Sequence, residues 1–115
     1  MKRVYELNST EIRITNKVKK LHPDIERIAN NLAEIDIIKN IRISPDLLKA
    51  SSETSGGQQK NPVTKPGHPT ATGAAIIIDF DYMTIQFFEM NSTVKGYGER
   101  MVQAVLKELP IEWQV

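Results

Sequence analysis

The clearest hydrophobic pattern begins at residue 74. Ala74-Ala75-Ile76-Ile77-Ile78-Asp79-Phe80 is an apolar run dominated by β-branched residues, the pattern of a strand buried on both faces. Residues 79–82 suit a tight turn. Residues 82–90 then alternate, with Met83, Ile85 and Phe87 on one face and Thr84, Gln86, Phe88 and Met90 on the other. Two such runs joined by a short turn predict an antiparallel hairpin. After a polar and glycine-containing link, Met101, Val102, Val105, Leu106 and Leu109 share one face of a helix that Pro110 stops. Residues 111–115 read as a closing strand, and the succession strand, helix, strand with short links predicts a right-handed parallel crossover.

The N-terminal half is more helical by the same reading. Residues 2–7 suit a short strand, and Asn8-Ser9-Thr10-Glu11 carries a glutamate three residues after a capping-type asparagine. That predicts a helix from Ser9 or Thr10 with Ile14, Val18 and Leu21 as its stripe, ended by Pro23. Ile25, Ile28, Leu32, Ile35 and Ile38 repeat at helical spacing, so a second helix is expected over 24–39, packed on a sheet. Ser44-Pro45-Asp46 predicts a short third helix over Leu47 and Leu48. The fold class is then α+β, with N-terminal helices packed on an antiparallel hairpin plus a β-α-β crossover. Residues 51–73 turn to Ser, Thr, Gly, Gln, Lys, Asn and Pro, with Val63 their only large apolar side chain. A stretch of this kind is functional or disordered, and a flexible loop is expected.

Composition narrows the chemistry. The chain has 115 residues, 40% hydrophobic and 25% charged, enough for one small domain. Without cysteine it has no disulfide framework, thiolate nucleophile or Cys-based zinc site, and it fits a reducing compartment. Two histidines, His22 and His68, are too few for a His-based metal site, so no metal is expected. No run approaches the roughly 18 apolar residues of a membrane span, and no signal-peptide core follows Met1; a cytoplasmic protein with no membrane partner is expected. Lys17, Lys19 and Lys20 form the one dense basic stretch. They lack the interleaved aromatics of a single-strand platform, so they read as the solvated face of a helix, and nucleic acid is not an expected partner.

The segment most suited to chemistry is Lys95-Gly96-Tyr97-Gly98-Glu99, between a strand and a helix. There the first unpaired N–H groups of the helix converge, its dipole favours an anion, and glycine allows close approach. It lacks the Walker A spacing, and Met101 stands where a dinucleotide fingerprint needs a third glycine. The plain alternative is a tight turn with a cap. Thr93-Val94-Lys95-Gly96-Tyr97-Gly98 resembles the Gln/Arg-x-x-Gly-x-Gly/Ala pyrophosphate loop of the GNAT superfamily of acyl-CoA N-acyltransferases. Both glycines match, whereas Thr93 replaces the usual Gln or Arg. The likeness covers residues 74–115 by motif and 1–50 by element order only. The family's further helix and β-hairpin after the strand matching 111–115 have no counterpart, so the expectation is a single short GNAT-like domain over 1–115.

The resemblance implies acetyl-CoA or another acyl-CoA as co-substrate and acyl transfer to an amine on a small molecule or a protein. Backbone amides from Val94 to Glu99 would hold the CoA pyrophosphate, with Lys95 and Arg100 near its phosphates. The strand ending at Met90 would splay from residues 111–115 to admit the pantetheine arm. Tyr97 would pack over the loop or fill the core. Glu89 stands where some members carry a general base; its other reading is a plain strand-edge carboxylate. The general acid is unassigned. A rival expectation is a non-catalytic module that binds protein along an open sheet edge. A third is a shortened or swapped domain completed by a second copy. A bare C-terminal strand also predicts a homodimer with Ile111, Trp113 and Val115 at or beside the contact, although Trp113 taken alone reads as core.

Overall fold

The computed structural model describes residues 3–52, 72–92, 95–107 and 109–115. Six strands form one mixed sheet in sequence order: β1 Arg3–Leu7, β2 Thr10–Ile14, β3 Asn40–Ile43, β4 Leu47–Ser51, β5 Gly73–Asp79 and β6 Thr84–Asn91. The two helices are α1, Pro23–Ala33, and α2, Tyr97–Leu106. All neighbouring strands are antiparallel except β2 and β3, which α1 joins in parallel. Ile12, Ile14, Ile41, Ile43, Leu48, Ile76 and Ile85 lie on the face that α1 and α2 cover, in one continuous core. The opposite face carries no helix among the described residues.

The expected first helix is a strand. Asn8 and Ser9 have φ of 54° and 67°, the pair of positive values that a two-residue hairpin turn requires, and Leu7 pairs with Thr10. Thr10, Ile12 and Ile14 are buried while Glu11 and Arg13 are half-buried. That alternation of period two governs the segment, and the 3.6-residue spacing of Ile14, Val18 and Leu21 continues into a loop. Thr10 is fully buried and its hydroxyl donates to the Ile38 carbonyl at 2.7 Å, pinning the start of β2 to the chain entering β3.

The second helix exists but stops at Ala33 rather than 39. Ile35 and Ile38 remain buried in successive tight turns, with their N–H groups donating to Leu32 and Ile35 carbonyls. The chain has to reverse here so that Lys39 and Asn40 can join β2, and it keeps its apolar spacing through the reversal. The expected third helix is β4 instead. Ser44 N–H donates to the Leu47 carbonyl at 2.8 Å, closing a hairpin, and Leu48 and Ala50 face the core while Leu47 and Lys49 are half-buried on the other face. The expected loop over 51–73 is shorter at both ends, since Ser51 pairs with Gly73 and Ser52 N–H donates to the Thr72 carbonyl. Its centre, 53–71, with Val63 and His68, lies outside the described residues.

The hairpin of β5 and β6 forms as expected, and Ala74, Ala75, Ile76 and Ile78 of β5 are buried. One detail differs. The register shifts between Ala75 and Ile76, so that Ala75 opposes Glu89 and Ile76 opposes Phe87. Phe88 is the extra residue of a β-bulge. The bulge reverses the alternation beyond it, and Met90 therefore packs against the core with Phe87. α2 buries Met101, Ala104 and Val105, whereas Leu106 is exposed. The crossover is parallel, but the expected closing strand is reduced to a single bridge: Gln114 N–H donates to Met83 and the Gln114 carbonyl accepts from Ile85.

Candidate functional site

The glycine segment sits where β6 hands over to α2. Gly96 caps the helix with φ 96° and ψ −21°, a left-handed conformation, and no side chain caps the first turn among the described residues. Arg100 N–H makes the first helical bond, to the Gly96 carbonyl at 3.2 Å, so the amides of residues 97–99 precede the regular ladder. Lys95, Gly96, Glu99 and Arg100 are exposed. Val94 and Thr93 lie outside the described residues.

The two glycines have different reasons to be there. A Cβ on Gly96 would meet nothing within 4 Å, but at its φ of +96° any side chain is strained. A Cβ on Gly98 would meet the Met90 sulfur at 3.6 Å, an ordinary packing distance with no positive φ. Gly98 thus turns its Cα inward onto Met90, and the glycine that shapes the loop is Gly96.

Tyr97 and Arg100 converge on Asp36, a residue that the sequence reading passed over. The Tyr97 hydroxyl donates to Asp36 Oδ1 at 2.9 Å, Arg100 donates to the same oxygen at 3.3 Å, and the guanidinium lies 4.7 Å from the centre of the Tyr97 ring. The Tyr97 hydroxyl, followed by the Arg100 charge, holds the Asp36 carboxyl below the usual aspartate range. No local motif links residues 61 positions apart, so this cluster had no signal in the sequence. Beside it, a groove of about 630 Å³ runs between α1 and α2, bordered by Asn31, Glu34, Gly96, Glu99, Arg100 and Gln103.

Glu89 is half-buried on β6 opposite Ala75. Through the bulge it shares the helix-free face with Gln86, while Met90 turns toward α2. The sheet therefore separates Glu89 from Tyr97 and Arg100, and Met90 joins the glycine segment through Gly98. Trp113 is 5% exposed, and its indole N–H donates to Asp24 Oδ2 at 2.8 Å. It belongs to the core, so of the expected dimer residues only Ile111 and Val115 are exposed. Among the described residues no group of acidic, His or Cys side chains is arranged to hold a metal, and no helix is long and apolar enough to cross a membrane. Comparison with protein families, curated proteins and solved structures finds no match for this chain.

Proposed function

We propose that this chain is an acyl-CoA-binding domain of the GNAT type, serving N-acyl transfer from acetyl-CoA or another acyl-CoA to an amine. The observation that carries the reading is the β6–α2 junction, where a left-handed Gly96 opens a helix with no side-chain cap among the described residues. Uncapped N–H groups at a helix start suit a pyrophosphate. Lys95 adds a cation next to the loop, and Arg100, already held by Asp36, adds a second one turn into the helix. Glu99 in the first turn of α2 competes for the same helix end. In the transfer, the amine nitrogen attacks the thioester carbonyl, the C–S bond breaks, and the amine proton leaves to a base while CoA departs as thiolate.

A second reading, a non-catalytic module that keeps the ligand site, is favoured by one observation. Glu89, the candidate base, shares no sheet face with Met90 and the glycine segment. Use of the outer β6 edge for strand addition has less support, because Gln114 already pairs with its start and the bulge at Phe88 is a device that discourages edge pairing.

Calorimetry with acetyl-CoA and with CoA tests the proposal. Saturable binding of both, weakened by Gly96→Ala in a protein that still folds, supports it. No heat at millimolar ligand would remove it, and binding without acyl transfer to a panel of amines would select the second reading.

A further inference from the structure

The other end of the sheet carries a second site that owes nothing to the acyl-CoA reading. Gly73 pairs with Asn91 and Asp79 with Thr84, so the glycine segment lies at one end of the β5–β6 hairpin and Asp79 at the other. At that far end the carboxyl termini of β2, β3 and β5 meet, and the loop from β2 to α1 passes over them. The space beneath is a cavity of about 290 Å³ with Val18, Leu21, Ile43, Ile78 and Phe80 in its wall. Openings at the carboxyl ends of strands around a crossover helix are the usual ligand positions in α/β arrangements.

The charge at its mouth is one-sided. Lys17, Lys19 and Lys20 line the cavity beside His22, whose Nδ1 accepts from the Asp24 N–H, and among the described residues its lining contains no acidic side chain. The three lysines are exposed, and none of them pairs with a carboxylate among the described residues. Asp24, the nearest acid along the chain, is already committed, with Oδ1 accepting from Arg27 at 3.3 Å and Oδ2 from the Trp113 indole at 2.8 Å. Three like charges within four residues of one loop repel one another, and an anion at the mouth relieves that repulsion. The helix that would have spread these lysines over a solvated face is not formed, and the loop gathers them at one opening instead.

The body of the ligand must be apolar. His22, Phe80 and Trp113 form a three-ring cluster with centroids 5.5 to 5.9 Å apart, Trp113 meeting the other two edge to face. Phe80 is still 41% exposed. A second lobe of about 430 Å³ shares Lys20, His22 and Phe80, so the Phe80 ring borders both spaces. At about 30 Å³ per water-sized group, the deeper space takes roughly eight to ten heavy atoms. We propose that this cavity binds a small amphiphilic carboxylate, its apolar chain among Val18, Leu21, Ile43, Ile78 and Phe80 and its anionic head at Lys17, Lys19 and Lys20.

Trp113, the only tryptophan, touches two rings of the cavity wall and reports occupancy by fluorescence. The probes are acetate, hexanoate, octanoate and octan-1-ol, titrated at low salt into the full chain. Octanoate is expected to give a saturable one-to-one change, with hexanoate roughly fifteenfold weaker, since each of the two methylenes removed costs about fourfold. Acetate is expected to give none, and octan-1-ol to bind at least fivefold more weakly than octanoate. The exposed triple variant Lys17→Gln/Lys19→Gln/Lys20→Gln, folded by circular dichroism, should bring octanoate down to the octan-1-ol level. Filling the space with Val18→Phe should weaken hexanoate and octanoate alike. Equal binding of octanoate and octan-1-ol, no dependence on chain length, or an unchanged affinity in the triple variant would each overturn the proposal.

Discussion

Exchanging the two glycines of the β6–α2 junction for alanine, one at a time, should move stability in opposite directions. At Gly96 the added Cβ has open space around it, since nothing lies within 4 Å, yet φ is +96°. The whole cost is backbone strain, about 1–3 kcal/mol for a non-glycine residue held in a sparsely populated region. At roughly 4 °C per kcal/mol for a domain of this size, Gly96→Ala should lower Tm by about 4–12 °C. At Gly98 the added methyl would rest at 3.6 Å from the Met90 sulfur with no strain in φ. It also replaces the most flexible residue of a helix, so Gly98→Ala should gain about 0.5 kcal/mol. Urea unfolding followed by Trp113 fluorescence and by circular dichroism measures both variants against the parent. Gly96→Asn serves as an internal control, because asparagine tolerates left-handed backbone and should recover part of the loss. If Gly96→Ala is as stable as the parent, or Gly98→Ala loses more than 1 kcal/mol, the division of roles between the two glycines is wrong.

Three more outcomes follow from specific contacts. Asp36 is held below its ordinary pKa first by the Tyr97 hydroxyl and then by Arg100, so its ionised form favours the fold above the unfolded value of about 3.9. That contribution fades as pH falls through the lower folded value; Tyr97→Phe should raise the Asp36 pKa in an NMR titration and flatten stability between the two values. Thr10→Val removes a buried 2.7 Å hydrogen bond to the Ile38 carbonyl and should cost about 1–3 kcal/mol in urea unfolding. If the chain self-associates, light scattering should show the dimer lost on Ile111→Lys, since that side chain is 97% exposed, whereas substituting the buried Trp113 would disturb the core instead.

The β5–β6 hairpin and α2 were legible because their signals are local. A continuous β-branched run, a turn and a return strand specify antiparallel pairing within about twenty residues, and the periodicity of Met101 and Val105 survives in any packing. The glycine segment was legible as a turn into a helix for the same reason. Residues 9–21 and 44–51 misled because short apolar spacings fit both periods. Asn8 and Ser9 resemble a cap, but with both in positive φ they turn the chain into β2, and β2 then has β1 and β3 to pair with. Burial of Thr10, Ile12 and Ile14 against α1 repays the strand conformation in a way that no window of sequence displays. The same holds for α1, whose apolar repeat continues to Ile38 although the chain leaves the helix after Ala33 to reach β3. Which glycine shapes the loop was decided by Met90, and Met90 faces the core only because a bulge at Phe88 reverses the strand. Asp36, Tyr97 and Arg100 meet only when α1 and α2 pack together, and the three lysines gather at one opening only because the loop that carries them is not a helix. Local patterning chose the elements that could form on their own; register, the bulge and helix packing chose which side chains face each other, because those depend on contacts between residues far apart in the chain.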